Sequence, residues 1–116
     1  MTILSQLVKK DLINLEGKGE TKQELLKSLA ETLFKKGYVN DGFAKAILER
    51  EEEFPTGLQL EKTAVAIPHT YCEYVKKPFI NVVKLENPVT FIQMGTSDVE
   101  VDVHFVIVLG ISEPKN

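Results

Sequence analysis

The sequence predicts an α/β fold in three layers, α/β/α, on three observations. Two amphipathic helical segments fill much of the first half of the chain. Several strand-like segments follow them. The last of these, Val101 to Leu109, is apolar on both faces, which places it centrally in a sheet with something covering each side.

Ile3 to Val8 reads as a short helix or turn. Asp11 to Leu15 reads as a short strand, with Leu12 on one face and Ile13 and Leu15 on the other. Gly17 and Gly19 interrupt that pattern. Thr21 and Glu24 then form a capping-box signature, each able to satisfy an orphan amide of a helix start. Leu25, Leu26, Leu29, Leu33 and Phe34 recur at helical spacing, and Gly37, preceded by Lys35 and Lys36, stops the helix. Asn40 or Asp41 caps a second helix whose apolar face is Phe43, Ala46 and Ile47, and Pro55 ends it. Arg50 prolongs that face. Ala64 to Ile67 reads as a buried strand, and Tyr71 to Lys77 carries no clear signal. Phe79 to Leu85 is a strand bounded by Pro78 and Asn87-Pro88, with Val89 to Phe91 a separate short piece. In Val101 to Leu109, Val101, Val103, Phe105, Ile107 and Leu109 share one face, with Val106 and Val108 on the other. Little sequence follows to cover the second face. Either the two helices split across the sheet, a partner covers it, or the natural chain continues; the last is the expectation.

A length of 116 residues suggests a single domain, residues 1–116. The hydrophobic share of 43% and charged share of 27% are those of an ordinary globular protein. Net charge is -3 without a basic run, which argues against nucleic-acid binding. One cysteine, Cys72, rules out an internal disulfide and fits a reducing, cytoplasmic setting. The N-terminus lacks a signal-peptide apolar core, and Val101–Leu109 is too short and polar to span a bilayer, so no direct membrane insertion is expected.

The chemistry concentrates in Arg50 to Thr70, REEEFPTGLQLEKTAVAIPHT. His69 ends a strand directly behind Pro68, which holds Ile67 extended. Near neutral pH much of an imidazole is an uncharged nucleophile, and its phosphoramidate passes readily to another acceptor. A plain surface histidine is the alternative. Arg50, on the inward face of its helix, offers planar donors that fit phosphate oxygens, or else snorkels at a helix end. Thr56, Gly57 and Thr70 offer hydroxyls and close backbone approach for phosphate, or else form an ordinary turn. Cys72 reads as a small buried thiol. Asp102 and His104 read as a structural pair, short of a metal site's ligand count. Glu51, Glu52 and Glu53 read as a solvated helix end. No metal or other cofactor is expected.

Arg50-Glu51, Pro55-Thr56-Gly57 and Ala66-Ile67-Pro68-His69 together resemble the enzyme IIA family of the phosphoenolpyruvate-dependent sugar phosphotransferase system, in its fructose/mannitol-type superfamily. FPTGL followed by AVAIPHT is most similar to the galactitol branch. The resemblance implies a three-layer sandwich with a mixed sheet, ending in helices after the last strand that are missing here. It implies His69 as the phosphorylated histidine, modified on Nε2, Arg50 as the active-site arginine, and Thr56 and Gly57 in the loop beside the histidine. It implies phosphoryl transfer from the phosphocarrier protein HPr to a cysteine of enzyme IIB, serving the membrane component IIC and uptake of galactitol or a related sugar. Some relatives carry a second active-site histidine after the last strand; this chain has none after His104. Two other readings stand beside the relay. One is a regulatory module whose phosphorylation state controls binding to a regulator, kinase or transporter. The other is unrelated chemistry, such as a hydrolase using His69 as base.

Overall fold

The computed structural model describes residues 8–111, with side chains from Leu12 onward. The element expected at Ile3–Val8 therefore lies outside the described residues up to residue 7, and Val8 already belongs to a strand. Five strands form one sheet: β1 (Val8–Gly17), β2 (Gly57–Gln59), β3 (Ala64–Ala66), β4 (Phe79–Ile92) and β5 (Glu100–Gly110). Their order across the sheet is β1-β4-β5-β3-β2. β1 runs parallel to β4 and β3 parallel to β5, while β4–β5 and β2–β3 are antiparallel, so the sheet is mixed. β5 is central, as its apolar faces require.

Helices α1 (Lys22–Lys35) and α2 (Phe43–Glu53) precede β2. The Thr21 hydroxyl accepts from the Glu24 amide at 3.2 Å and so starts α1. Gly37 ends it in the left-handed region at φ 83°, and the amides of Tyr38 and Gly37 reach back to Leu33 and Phe34, closing the carbonyl end. α2 is capped by Gly42 rather than by Asn40 or Asp41; the Asn40 side chain instead accepts from the Gly42 amide.

Leu25, Leu26, Leu29 and Leu33 of α1 and Phe43 and Ile47 of α2 are buried. Phe34 is not: it points outward and is 49% exposed. The helices meet the sheet face carrying Phe79, Asn81, Val83 and Leu85. Phe43 and Tyr38 set their rings edge-on to Phe79, with centroids 6.3 and 5.6 Å away. Asn81, buried on this face, donates to the Leu12 carbonyl across to β1.

Phe79 to Leu85 and Val89 to Phe91 are one strand, β4, not two. Between the pairs Lys84–Phe105 and Val89–Val103, residues 85–88 of β4 lie opposite His104 alone. Pro88 has no amide to give the ladder, so Asn87-Pro88 makes an irregularity inside a strand instead of ending it. Burial along β5 changes phase at the same place, from Val101 and Val103 to Val106 and Val108. The segment from Tyr71 resolves into a 3₁₀ turn, Cys72–Tyr74, followed by a bridge from Val75 to Val39.

The two helices do not split across the sheet. On the far face Ile80, Val82, Phe105 and Ile107 are half-buried and Ile13 is exposed, and no helix among the described residues covers them. The three-layer plan is thus present as one helical layer and a mixed sheet.

Candidate functional site

His69 follows β3 and pairs with Leu109 at the end of β5. Leu109 donates its amide to the Pro68 carbonyl at 3.1 Å, which continues the parallel β3–β5 ladder past the named strand. On the other side β2 stops pairing at Gly57–Ala66. There the Thr56 hydroxyl takes over and accepts from the Ile67 amide at 3.1 Å.

The imidazole is half-buried, with Nδ1 2.9 Å from the Ile67 carbonyl oxygen. A carbonyl only accepts, so this bond assigns the proton to Nδ1 and leaves Nε2 with the lone pair. No other hydrogen bond occupies the ring among the described residues.

Glu51 is the residue that the sequence reading misplaced. It is 1% exposed, not part of a solvated helix end. One carboxylate oxygen accepts the Thr56 amide at 2.7 Å and the other accepts the Thr56 hydroxyl at 2.8 Å. Burial raises its carboxyl above the ordinary carboxylate value. The two Thr56 bonds, Lys22 and His69 pull it back down. That interaction also places Glu51 near His69. The Thr56 hydroxyl, expected to hold phosphate, has its proton committed to Glu51 and a lone pair committed to Ile67, which makes it a brace in this state.

Arg50 lies one residue before Glu51 at the end of α2. Its guanidinium carbon sits 4.5 Å from the centroid of the Phe54 ring and 5.2 Å from that of Tyr71, two residues past His69. Among the described residues its Nε is buried without a hydrogen-bond partner, as is the Thr70 hydroxyl. Both are unspent donors, Thr70 next to His69 in the chain and Arg50 against the ring of Tyr71. A cavity of about 180 Å³ borders Arg50, Tyr71 and Tyr74. The larger cavity of about 690 Å³, lined by Gly17, Lys18, Glu20 and Glu86, lies at the opposite end of the sheet and is removed from this chemistry.

Gly57 serves close approach: a Cβ there would lie 2.6 Å from the Ile92 carbonyl oxygen and 2.8 Å from Val101. Its φ is not positive. Cys72 is a half-buried free thiol in the 3₁₀ turn. His104 is exposed, five residues back along β5 from Leu109, or ~16 Å at strand rise. Asp102 bonds weakly with Thr90, at 3.4 Å, and not with His104. No group of three His, Cys, Asp or Glu is placed to hold a metal among the described residues. No described helix is long and apolar enough to cross a membrane.

The family model described as "Phosphoenolpyruvate-dependent sugar phosphotransferase system, EIIA 2" matches residues 6–116. The galactitol-specific EIIA component of Escherichia coli K12 is 36% identical over 94 residues, covering 81% of this chain and 62% of that protein. The chain thus spans under two thirds of the length of the curated relatives it matches. The transcriptional regulator ManR of Bacillus subtilis is 31% identical over 77 residues, covering 66% of this chain and 11% of the regulator. Among solved structures, IIA mannitol of E. coli superposes with a TM-score of 0.72 at 27% identity, over 90% of this chain and 71% of that one. A complex of E. coli enzyme IIA mannitol with phosphorylated enzyme IIB gives 0.73 at 27% identity, over 91% and 72%. With a match along almost its whole length and a mixed sheet that superposes on solved IIA structures, this chain belongs to the EIIA 2 family of the phosphoenolpyruvate-dependent sugar phosphotransferase system.

Proposed function

We propose that this chain is a cytoplasmic phosphoryl carrier, a single IIA-like domain. His69 takes a phosphoryl group from HPr and passes it to a cysteine of enzyme IIB, for uptake of galactitol or a related sugar through IIC. The observation that carries this reading is the free Nε2 of His69, set by the Nδ1 bond to Ile67. The Nε2 lone pair attacks phosphorus in line, the donor's P–N bond breaks, and the donor nitrogen keeps that electron pair. Positive charge gathering on the His69 ring is met at Nδ1–H by the Ile67 carbonyl. Arg50 supplies donors for the equatorial oxygens, and Thr70 adds a hydroxyl with no other partner among the described residues. Transfer of this kind rests on positioning and electrostatics.

Incubated with phosphoenolpyruvate, enzyme I and HPr, the protein is expected to gain an acid-labile phosphate. His69→Ala should gain none, and labelling equal to wild type would remove His69 from the role. Arg50→Ala should keep the fold and slow transfer by about 10²-fold, the usual scale for losing one donor to transition-state charge. An unchanged rate would take Arg50 out of the site.

The similarity to ManR favours a second reading, a module whose phosphorylation state governs a regulator. Rapid discharge to a IIB cysteine supports the relay. A long-lived phosphohistidine and a tight partner other than IIB support regulation.

A further inference from the structure

We propose that Glu51 is a positioning residue for His69, fixing the tautomer and orientation of the imidazole through Thr56 and the backbone of Ile67. The importance of that tautomer rests on the carrier reading above; the physical link does not.

Four hydrogen bonds form the link. The Glu51 carboxylate accepts both the amide and the hydroxyl proton of Thr56. An ionised carboxylate only accepts, so the direction of the Thr56 O–H is settled, and a lone pair of that oxygen faces the Ile67 amide. In extended backbone the N–H and C=O of one residue point to the same side. Anchoring the Ile67 amide therefore aims the Ile67 carbonyl, and that carbonyl holds His69 Nδ1–H. Pro68 keeps Ile67 extended.

No ladder bond does this work instead. β2 pairs with β3 only as far as Gly57–Ala66, so Ile67 lies beyond the last strand partner on that edge. A carboxylate that is 1% exposed, with both oxygens turned onto one threonine, is an expensive way to tie a turn that Pro55 and Gly57 already favour. It is well suited to holding a second residue through that threonine. No hydrogen bond joins Glu51 to the ring among the described residues; it acts through others.

The test reads the ring directly. At a pH where His69 is neutral, long-range ¹H–¹⁵N spectra of the unphosphorylated protein distinguish Nδ1–H from Nε2–H. Wild type should be mainly Nδ1–H. Glu51→Gln and Thr56→Val should each raise the Nε2–H share several-fold, with backbone amide spectra unchanged elsewhere. Thr56→Ser, which keeps the hydroxyl, should stay close to wild type. Because Glu51 acts through Thr56, the double variant should go no further than Thr56→Val alone. Phosphoryl uptake from HPr should fall about tenfold or more in step with the tautomer. If both single variants keep the wild-type tautomer ratio, the proposal is overturned. Should Glu51→Gln not hold the fold, Glu51→Asp, which withdraws the charge by one methylene, takes its place in the same comparison. A wild type that takes no phosphoryl group, yet whose tautomer still follows Glu51 and Thr56, overturns the carrier reading and supports the link.

Discussion

At Glu51, burial and hydrogen bonding pull the carboxyl in opposite directions, and burial is the larger effect. A folded-state value raised above 4.5 means that folding disfavours the ionised form. The resulting stability is fully present below about 4.5, the unfolded value, and is lost as pH rises through the higher folded value. Wild type should therefore lose stability relative to Glu51→Gln as pH climbs through that window, read as urea midpoints at a series of pH values. A difference that stays flat with pH would show that burial does not disfavour the Glu51 charge. The placement of His69 behind a strand and of Arg50 on the inward face of its helix was legible for local reasons: a proline straightens the strand before one, and helical periodicity turns the other inward. Glu51 was not legible. A run of three glutamates at a helix end looks solvated, and what buries this one is a threonine five residues on, beyond a turn. The brace that Thr56 forms in this structure was hidden for the same reason, since its hydroxyl is held by that unseen carboxylate.

Among the elements, β2 shows how little sequence a strand needs when its neighbours supply the surroundings. Its three residues carry no period of their own, yet Gly57 is pinned between β3 and the β4–β5 hairpin, with the Met94 amide donating to its carbonyl at 2.7 Å. Gly57→Ala would push a methyl group onto backbone at Ile92, where no side chain can move aside. The expected cost is ~1–3 kcal/mol in a denaturant titration, the range for overpacking. A cost near zero would mean that the hairpin can retreat. The two helices and the central strand were readable because caps and apolar periods are local signals. The joining of the β4 pieces was not, because Asn87-Pro88 signals a stop locally and only pairing with β5 carries the strand through it. The 3₁₀ turn after Tyr71 likewise depends on a distant bridge, Val39 to Val75.

Across the whole molecule, the sheet is covered on one side only within the described residues. Neighbouring positions on β5 should report this difference. Val108, 1% exposed beneath the helices, should not tolerate lysine, because an unpaired buried charge costs several kcal/mol. Ile107→Lys, on the open side, should change the thermal midpoint little. Equal losses at both positions would mean that the second face is packed after all. The edge near the histidine has a different property. Past Ala66, both backbone polar groups of Ile67 on the outer side are already taken, one by a threonine hydroxyl and one by the imidazole. An approaching protein therefore finds Ile67 closed to it and cannot lengthen the sheet through that residue. On the carrier reading, contact at this residue falls to side chains, a mode of attachment that forms and dissolves without unzipping a ladder.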